Sequence, residues 1–268
     1  MDIRIFKRSK KRPKSLCEEP NTFCLERSLK LKRELRKKFD TPGKSKIREF
    51  LFNKTILPER SCEEPKTSCI SILDFYGGGL NVDYIIKRMN HVGLVKNHKK
   101  NVKIYSIESN KQLWPAMIEH AKRVNQGQGV KNQNRFVKMI PFCGSLANFV
   151  HNMDVKNQNA LDSIWLDYCD MGKGLEKDLR VIRSLVSQKT LLAISIFLDR
   201  CSKPNIITRQ AYTDNVIAKT LPKLNQLKQI VYSEGDSSSR HGMINLFFKQ
   251  RYNKLSKEVS YYEAQASN

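Results

Sequence analysis

The sequence predicts a three-layer αβα domain that is closed by an antiparallel hairpin and preceded by a basic helical extension. Three observations predict it. From Cys69 onward, short apolar runs alternate with amphipathic stretches, the rhythm of a parallel sheet with right-handed crossovers. The last two strand-like runs, "KQIVYSEG" and "MINLFFKQRY", are joined by the short polar "DSSSRH"; no helix fits there, so they are expected to pair antiparallel. Before Cys69 the pattern is helical and strongly basic. A chain of 268 residues suffices for one such domain and an appendage.

Each element follows from local pattern. Residues 1 to about 24 form a basic arm. "ERSLKLKRELRKKF" (26–39) sets Leu29, Leu31, Leu35 and Phe39 among charges, a helix with a modest apolar stripe. "DTPG" (40–43) stops it, since proline cannot continue a helix and glycine favours the turn. "KSKIREFLFNKTIL" is a second helix, ended by Pro58. "CISILDF" (69–75) is a buried strand by length and β-branched content, followed by the helix "VDYIIKRMNHV". "NVKIYSIESN" (101–110) is the second strand, and "KQLWPAMIEHAKRV" its helix, with Pro115 near the start. "FVKMIPFCG" (136–144) and "LDSIWLDYCD" (161–170) are strands three and four. "GLEKDLRVIRSLVSQ" is a helix, "TLLAISIFLD" (190–199) strand five, and "ITRQAYTDNVIAKTLPKLNQL" the last long helix. The expected division is a basic arm with helices over 1–64, the α/β domain over 65–252, and a polar tail over 253–268.

Charge narrows the partners. Lys and Arg number 49 against 26 acids, a net charge of +23; such an excess points to a polyanion, most often nucleic acid. Residues 1–60 hold 19 Lys and Arg against 8 acids. "KRSKKRPK" (7–14) has the composition of a nuclear import signal or a phosphate-binding arm. No apolar run approaches the roughly 20 residues that cross a bilayer, and no secretory leader is visible. An intracellular protein is expected, with the nucleus favoured over the cytoplasm. The seven cysteines then read as reduced thiols.

In an open parallel sheet, ligands bind beyond the carboxyl ends of the strands. "LDFYGGGLN" (73–81) occupies that place after the first strand. A P-loop would need Gly-Lys-Ser/Thr, where Leu80-Asn81 stand; a G-x-G-x-x-G fingerprint would need a third glycine at Val82. The motif order and the terminal hairpin over roughly 69–250 resemble class I S-adenosylmethionine-dependent methyltransferases, with a Rossmann-like sheet. Asp-aromatic-aromatic-Gly-Gly-Gly is closest in style to the nucleic-acid methyltransferases of that class.

The resemblance implies S-adenosyl-L-methionine as cofactor, with Asp74, Tyr76, Gly77, Gly78 and Gly79 forming the first binding motif. Glu108, ending strand two with Ser109 after it, is expected to accept hydrogen bonds from the ribose hydroxyls; the competing role is capping the helix that follows. After strand three the family places a carboxylate on the adenine amine. Here the loop is "FCGSLAN", so Cys143, Ser145 or a backbone group would replace it.

After strand four, adenine-N6 enzymes carry Asp/Asn-Pro-Pro-aromatic, and this chain has Asp167-Tyr168-Cys169-Asp170 without the prolines. Asp167 is the catalytic candidate: it would orient an exocyclic amine, accept a proton, or hold the donor's ammonium. Tyr168 would stack on a flipped base. Cys169 lacks the proline-cysteine context of a covalent nucleophile, and a lone strand-end cysteine is more often a small buried residue. The expected function is methylation of DNA or RNA. Two alternatives stand: an inactive member of the fold kept as a nucleic-acid-binding subunit, and a methyltransferase for protein or small molecules.

The octets "CEEPNTFC" (17–24) and "CEEPKTSC" (62–69) place Cys17, Cys24, Cys62 and Cys69 at C-x6-C spacings. Zinc knuckles use two to four intervening residues, so no metal is expected, and chance recurrence or a short local duplication is the simpler account.

Overall fold

The computed structural model describes residues 22–57, 69–91, 101–127, 136–153, 161–168, 174–198, 202–234 and 241–250. The arm at 7–14, Cys17, Cys62, Cys169, Asp170 and the polar tail lie outside them. Seven strands form one sheet: β1 (Cys69–Phe75), β2 (Asn101–Glu108), β3 (Val137–Cys143), β4 (Ser163–Tyr168), β5 (Leu191–Leu198), β6 (Leu224–Glu234) and β7 (His241–Gln250). Their order is β3-β2-β1-β4-β5-β7-β6. Strands β1 to β5 run parallel, and β7 is antiparallel to both β5 and β6. The α/β class and the closing hairpin are as the sequence predicts. The order reverses between β1 and β4, so the carboxyl ends of those two strands flank the switch point where ligands bind such sheets.

The helices are α1 (Thr22–Phe39), α2 (Pro42–Thr55), α3 (Leu80–His91), α4 (Trp114–Asn125), α5 (Leu146–Asn152), α6 (Leu175–Ile182) and α7 (Lys203–Thr220). Two apolar layers sandwich the sheet. Ile47, Leu51 and Phe52 of α2, Val82, Ile85 and Met89 of α3, and Met117 and Ala121 of α4 pack on Ile70, Ile72, Val102 and Ile104. On the opposite face, Phe149 of α5, Leu175 and Leu179 of α6, and Val216 and Ile217 of α7 pack on Leu73, Ile164, Leu166 and Ile194. Successive strand residues alternate between these layers, as pleating requires.

Two local expectations are corrected. The helix expected over 207–227 spans 203–220 instead, and residues 224–227 belong to β6. Leu221-Pro222 breaks it, since the residue before a proline is disfavoured in the α region. A helix was not anticipated between β3 and β4, yet α5 stands there, its first turn capped by Ser145.

The basic extension is built onto the domain. Thr41 caps α2, its hydroxyl accepting from the Lys44 amide, with Pro42 at the first helical position. Gly43 lets α2 approach the sheet, because a Cβ there would run into the Tyr232 ring. Helix α1 lies on the loop after β1 and on α4, where Ser28 Oγ accepts from the Ala116 amide at 3.0 Å.

Candidate functional site

Asp74 is the sixth of seven residues in β1, in register with Trp165 of β4. The even positions of β1, and Trp165 and Asp167 of β4, point to the α2 layer by the pleat. Asp74 is fully buried, at 0% exposure. Its Oδ1 accepts from Asn81 Nδ2 at 2.7 Å; Asn81 Oδ1 accepts from Arg48 Nε at 3.0 Å, and Arg48 also pairs with Asp40. Burial pushes the Asp74 carboxyl up to about 8, Asn81 opposes the rise, and the charge of Asp167 adds to it. Asp167, two residues beyond Trp165 on the same face, has a side chain 31% exposed, and its Oδ2 receives Lys44 Nζ at 2.8 Å. One turn of α2 thus fixes one oxygen of each carboxylate, through Lys44 directly and through Arg48 by way of Asn81. The other oxygens, Asp74 Oδ2 and Asp167 Oδ1, are buried and have no hydrogen-bond partner among the described residues.

A cavity of about 30 Å³ opens beside Asp167, lined among others by Lys44, Arg48, Asn81, Ser195 and Asn245. That is room for about one water molecule. Neither Gly77 nor Glu108 lines this cavity.

The glycine loop is a tight turn with each glycine at positive φ: 45° at Gly77, 79° at Gly78 and 79° at Gly79. A Cβ on Gly79 would collide with His120, and one on Gly78 would sit 3.2 Å from Arg36 Cγ and 3.6 Å from the Lys32 carbonyl oxygen. Gly77 is exposed, with nothing within 4 Å of such a Cβ. Tyr76, expected to touch a cofactor, is buried with its hydroxyl 3.4 Å from both the Ala116 carbonyl and His120 Nδ1. It forms the underside of the turn, because its ring is enclosed against α4.

Below the turn, His120 Nε2 is 2.8 Å from Asp83 Oδ1, and Arg36 Nη1 is 2.6 Å from Asp83 Oδ2. Burial lowers the His120 pKa, against the pull of Asp83. Burial alone would raise Asp83, but the His120 hydrogen bond and the charges of His120, Arg36 and Lys32 hold it below the usual carboxylate range.

Glu108 ends β2 in register with Cys143. Its Oε1 accepts the Asn110 amide at 2.8 Å, and the Ser109 amide also donates to the carboxylate. Burial raises its pKa, opposed by those two amides. The carboxylate therefore organises the turn that begins the next helix. Cys143 is half-buried against the α2-side core. Ser145 accepts the Asn148 amide at 3.2 Å as the cap of α5.

Tyr168 is corrected. It is 8% exposed, donates its hydroxyl to Asp178 Oδ2 at 2.7 Å, and packs edge-on to Phe75. It follows Asp167 directly, so the pleat sends it to the opposite layer. Base stacking is not open to a side chain so enclosed. The hydrogen-bond partners around the two carboxylates that were missed from sequence are Lys44, Arg48 and Asn81. Asn81 alone was within reach, seven residues after Asp74 at the start of the helix following the glycines. Cys24 and Cys69 are exposed free thiols.

No family model matches the chain, and no curated protein matches it. Among solved structures it is similar to a Listeria monocytogenes protein assigned to the class I S-adenosylmethionine-dependent methyltransferases. The identity is 15% and the TM-score 0.54, over 91% of this chain and 74% of that one. Weaker likenesses include the N-methyltransferase NodS from Bradyrhizobium japonicum in complex with S-adenosyl-L-homocysteine, at 9% identity and TM-score 0.46 over 82% and 97% of the two chains. Another is the 16S rRNA (adenine(1408)-N(1))-methyltransferase from Catenulisporales acidiphilia, at 10% and 0.40 over 77% and 93%. With the strand order and the closing hairpin, the first of these identifies the fold as that of the class I S-adenosylmethionine-dependent methyltransferases.

Proposed function

We propose that this chain is an S-adenosylmethionine-dependent methyltransferase acting on nucleic acid. The observation that carries the reading is the pair of carboxylates at the switch point, each with one oxygen fixed by α2 and one buried oxygen unpartnered. A buried acceptor without a donor costs about 1–3 kcal/mol; in this reading the ammonium of a bound methyl donor supplies an N–H to Asp74, and an acceptor amine supplies one to Asp167. The other residues fit that donor unevenly. Glu108, at the end of β2, is assigned to the ribose hydroxyls, and Gly77 leaves the turn open. Among the described residues directly following β3 no carboxylate replaces the family's, and Ser145 is occupied with its helix.

The sulfonium donor supplies the electrophile itself. The protein's part is to align the acceptor and to handle one proton. Lys44 holds Oδ2 of Asp167, which leaves Oδ1 to receive an N–H from an acceptor amine. The side chain of Asp167 is the more exposed of the two carboxylates and is assigned to the acceptor; Asp74, enclosed at the root of the turn, is assigned to the donor's ammonium.

Nucleic acid is the acceptor favoured by the charge of +23 and by Lys30, Arg33 and Lys37, exposed along one side of α1. Glu26 and Glu34 are exposed on that helix too, so the favoured sign is a net one.

Calorimetric binding of S-adenosylmethionine and S-adenosylhomocysteine, beside Asp74→Asn and Glu108→Gln, tests the reading. Micromolar binding is expected, weakened by about a hundredfold in Asp74→Asn, the order of loss when one partner of a buried charged pair is removed. Glu108→Gln should cost about tenfold. Labelled methyl transfer onto DNA, RNA and a protein extract then identifies the acceptor. Nucleic-acid binding without cofactor binding, in folded protein, would leave the alternative of an inactive binding subunit.

A further inference from the structure

Lys32 is at odds with its surroundings. It is 4% exposed, and its ammonium lies over the Tyr76 ring, 5.7 Å from the centroid. Among the described residues it meets no carboxylate or carbonyl oxygen at hydrogen-bond distance. Its neighbours deepen the imbalance. Arg36 is committed to Asp83 at 2.6 Å, and Arg123 is paired with Glu119 at 3.9 Å. Asp83 is shared with His120, which leaves Lys32 as the unmatched charge of that group. Burial pulls its pKa down to about 8, Asp83 resists, and Arg36 and Arg123 push the same way as burial.

A cation–π contact is worth about 0.5–2 kcal/mol, and the ammonium, not among the fully buried atoms that lack a partner, keeps contact with solvent at its tip. The ammonium lies over Tyr76, the residue before Gly77; the Lys32 carbonyl oxygen would sit 3.6 Å from a Cβ on Gly78, and a Cβ on Gly77 would meet nothing within 4 Å.

We propose that Lys32 forms an anion site beside the glycine turn, which takes a small oxyanion group, a carboxylate or a phosphate. The site stands without the methyl-donor reading, because it follows from the unmatched ammonium and the open turn. Two sources share this chemistry: the carboxylate of an amino-acid-bearing cofactor, and a phosphate, free or of a nucleic acid.

The test compares the full chain with Lys32→Met, which keeps the apolar stem and removes the charge. Probes are S-adenosylmethionine, its decarboxylated analogue, inorganic phosphate and a single-stranded oligonucleotide. The variant should unfold at the same or a higher temperature and bind at least one oxyanion probe about tenfold or more weakly, the loss of a charge-assisted hydrogen bond. If the cofactor's carboxylate is the source, the wild type prefers S-adenosylmethionine to its decarboxylated analogue and the variant does not. If phosphate is the source, the variant loses affinity for phosphate and oligonucleotide and keeps that preference.

Wild-type protein that binds no S-adenosylmethionine yet loses phosphate binding with Lys32 would end the methyl-donor reading and keep the anion site. Unchanged affinity for all four probes would overturn the proposal. Should Lys32→Met fold poorly, amine-directed labelling of Lys32 in the wild type at about pH 8 reads the same site; protection by phosphate or S-adenosylmethionine is expected, and no protection by either overturns it.

Discussion

The two sides of the glycine turn leave opposite kinds of group unmatched among the described residues. On the α1 and α4 side, Lys32 and Arg36 gather around Asp83, and a cation is left unmatched. On the α2 side, Lys44 and Arg48 serve Asp167 and Asp74, and two carboxylate oxygens are left unmatched. Each arrangement alone is a cost to folding, since buried polar groups are normally paired. The first arrangement suits an oxyanion, and the second suits N–H donors. The comparison teaches that unmatched groups carry information about a ligand, whereas the well-paired Tyr168 and Ser145 carry information about the fold.

The largest expected effect tests how tightly the cation side is built. Gly79→Ala combines a φ of 79° with a collision against His120, and should lower unfolding free energy by about 3 kcal/mol or more. Gly77→Ala, at φ 45° in open space, should cost about 1 kcal/mol. Urea unfolding of the two variants measures the difference; equal losses would mean that His120 moves aside freely.

A smaller effect sharpens the carboxylate side. With its pKa near 8, Asp74 is largely protonated at neutral pH, and an ammonium ligand would draw the proton off. Binding should release a proton below about pH 8, and affinity should rise from pH 6 to 8 and then level. Calorimetry in two buffers of different ionisation enthalpy detects the release, and Asp74→Asn should abolish it. The same group makes a signed contribution to stability. A carboxyl raised in the folded state contributes fully below its unfolded value, near pH 4, and loses that contribution as pH rises through about 8. Asp74→Asn should therefore remove a fall in stability across that window.

The smallest effect separates the two faces of α1. Replacing exposed Lys30, Arg33 and Lys37 by Glu should weaken nucleic-acid binding severalfold at about 0.15 M salt and lower its salt slope by up to about three. Cofactor affinity should be unchanged. An unaltered slope in a salt titration would take the outer face of α1 out of substrate contact.

Much of the architecture was legible because its signals are local. β-branched runs of seven or eight residues marked β1 and β5, and the absence of room for a helix after Gly235 predicted the antiparallel β7. Where the signal was short or ambiguous the reading failed: the seven residues of α5 are too few for a helical period to stand out. Leu224 to Leu227 continue an apolar pattern that fits helix and strand alike until the backbone beyond Pro222 is laid along β7.

By itself the sequence determined the fold class, the glycine turn, and the strand-end positions of Asp74, Glu108 and Asp167, because strand period and turn chemistry are written in neighbouring residues. The tertiary structure alone decided which charges meet. Lys44 reaches Asp167 across 123 positions and Ser28 reaches Ala116 across 88, separations over which no spacing rule operates. It also decided what each of the adjacent Asp167 and Tyr168 meets, Lys44 for the first and Asp178 for the second. The physical reason is that pairing and burial depend on what the fold brings within a few ångströms, and that distance is set by packing between layers.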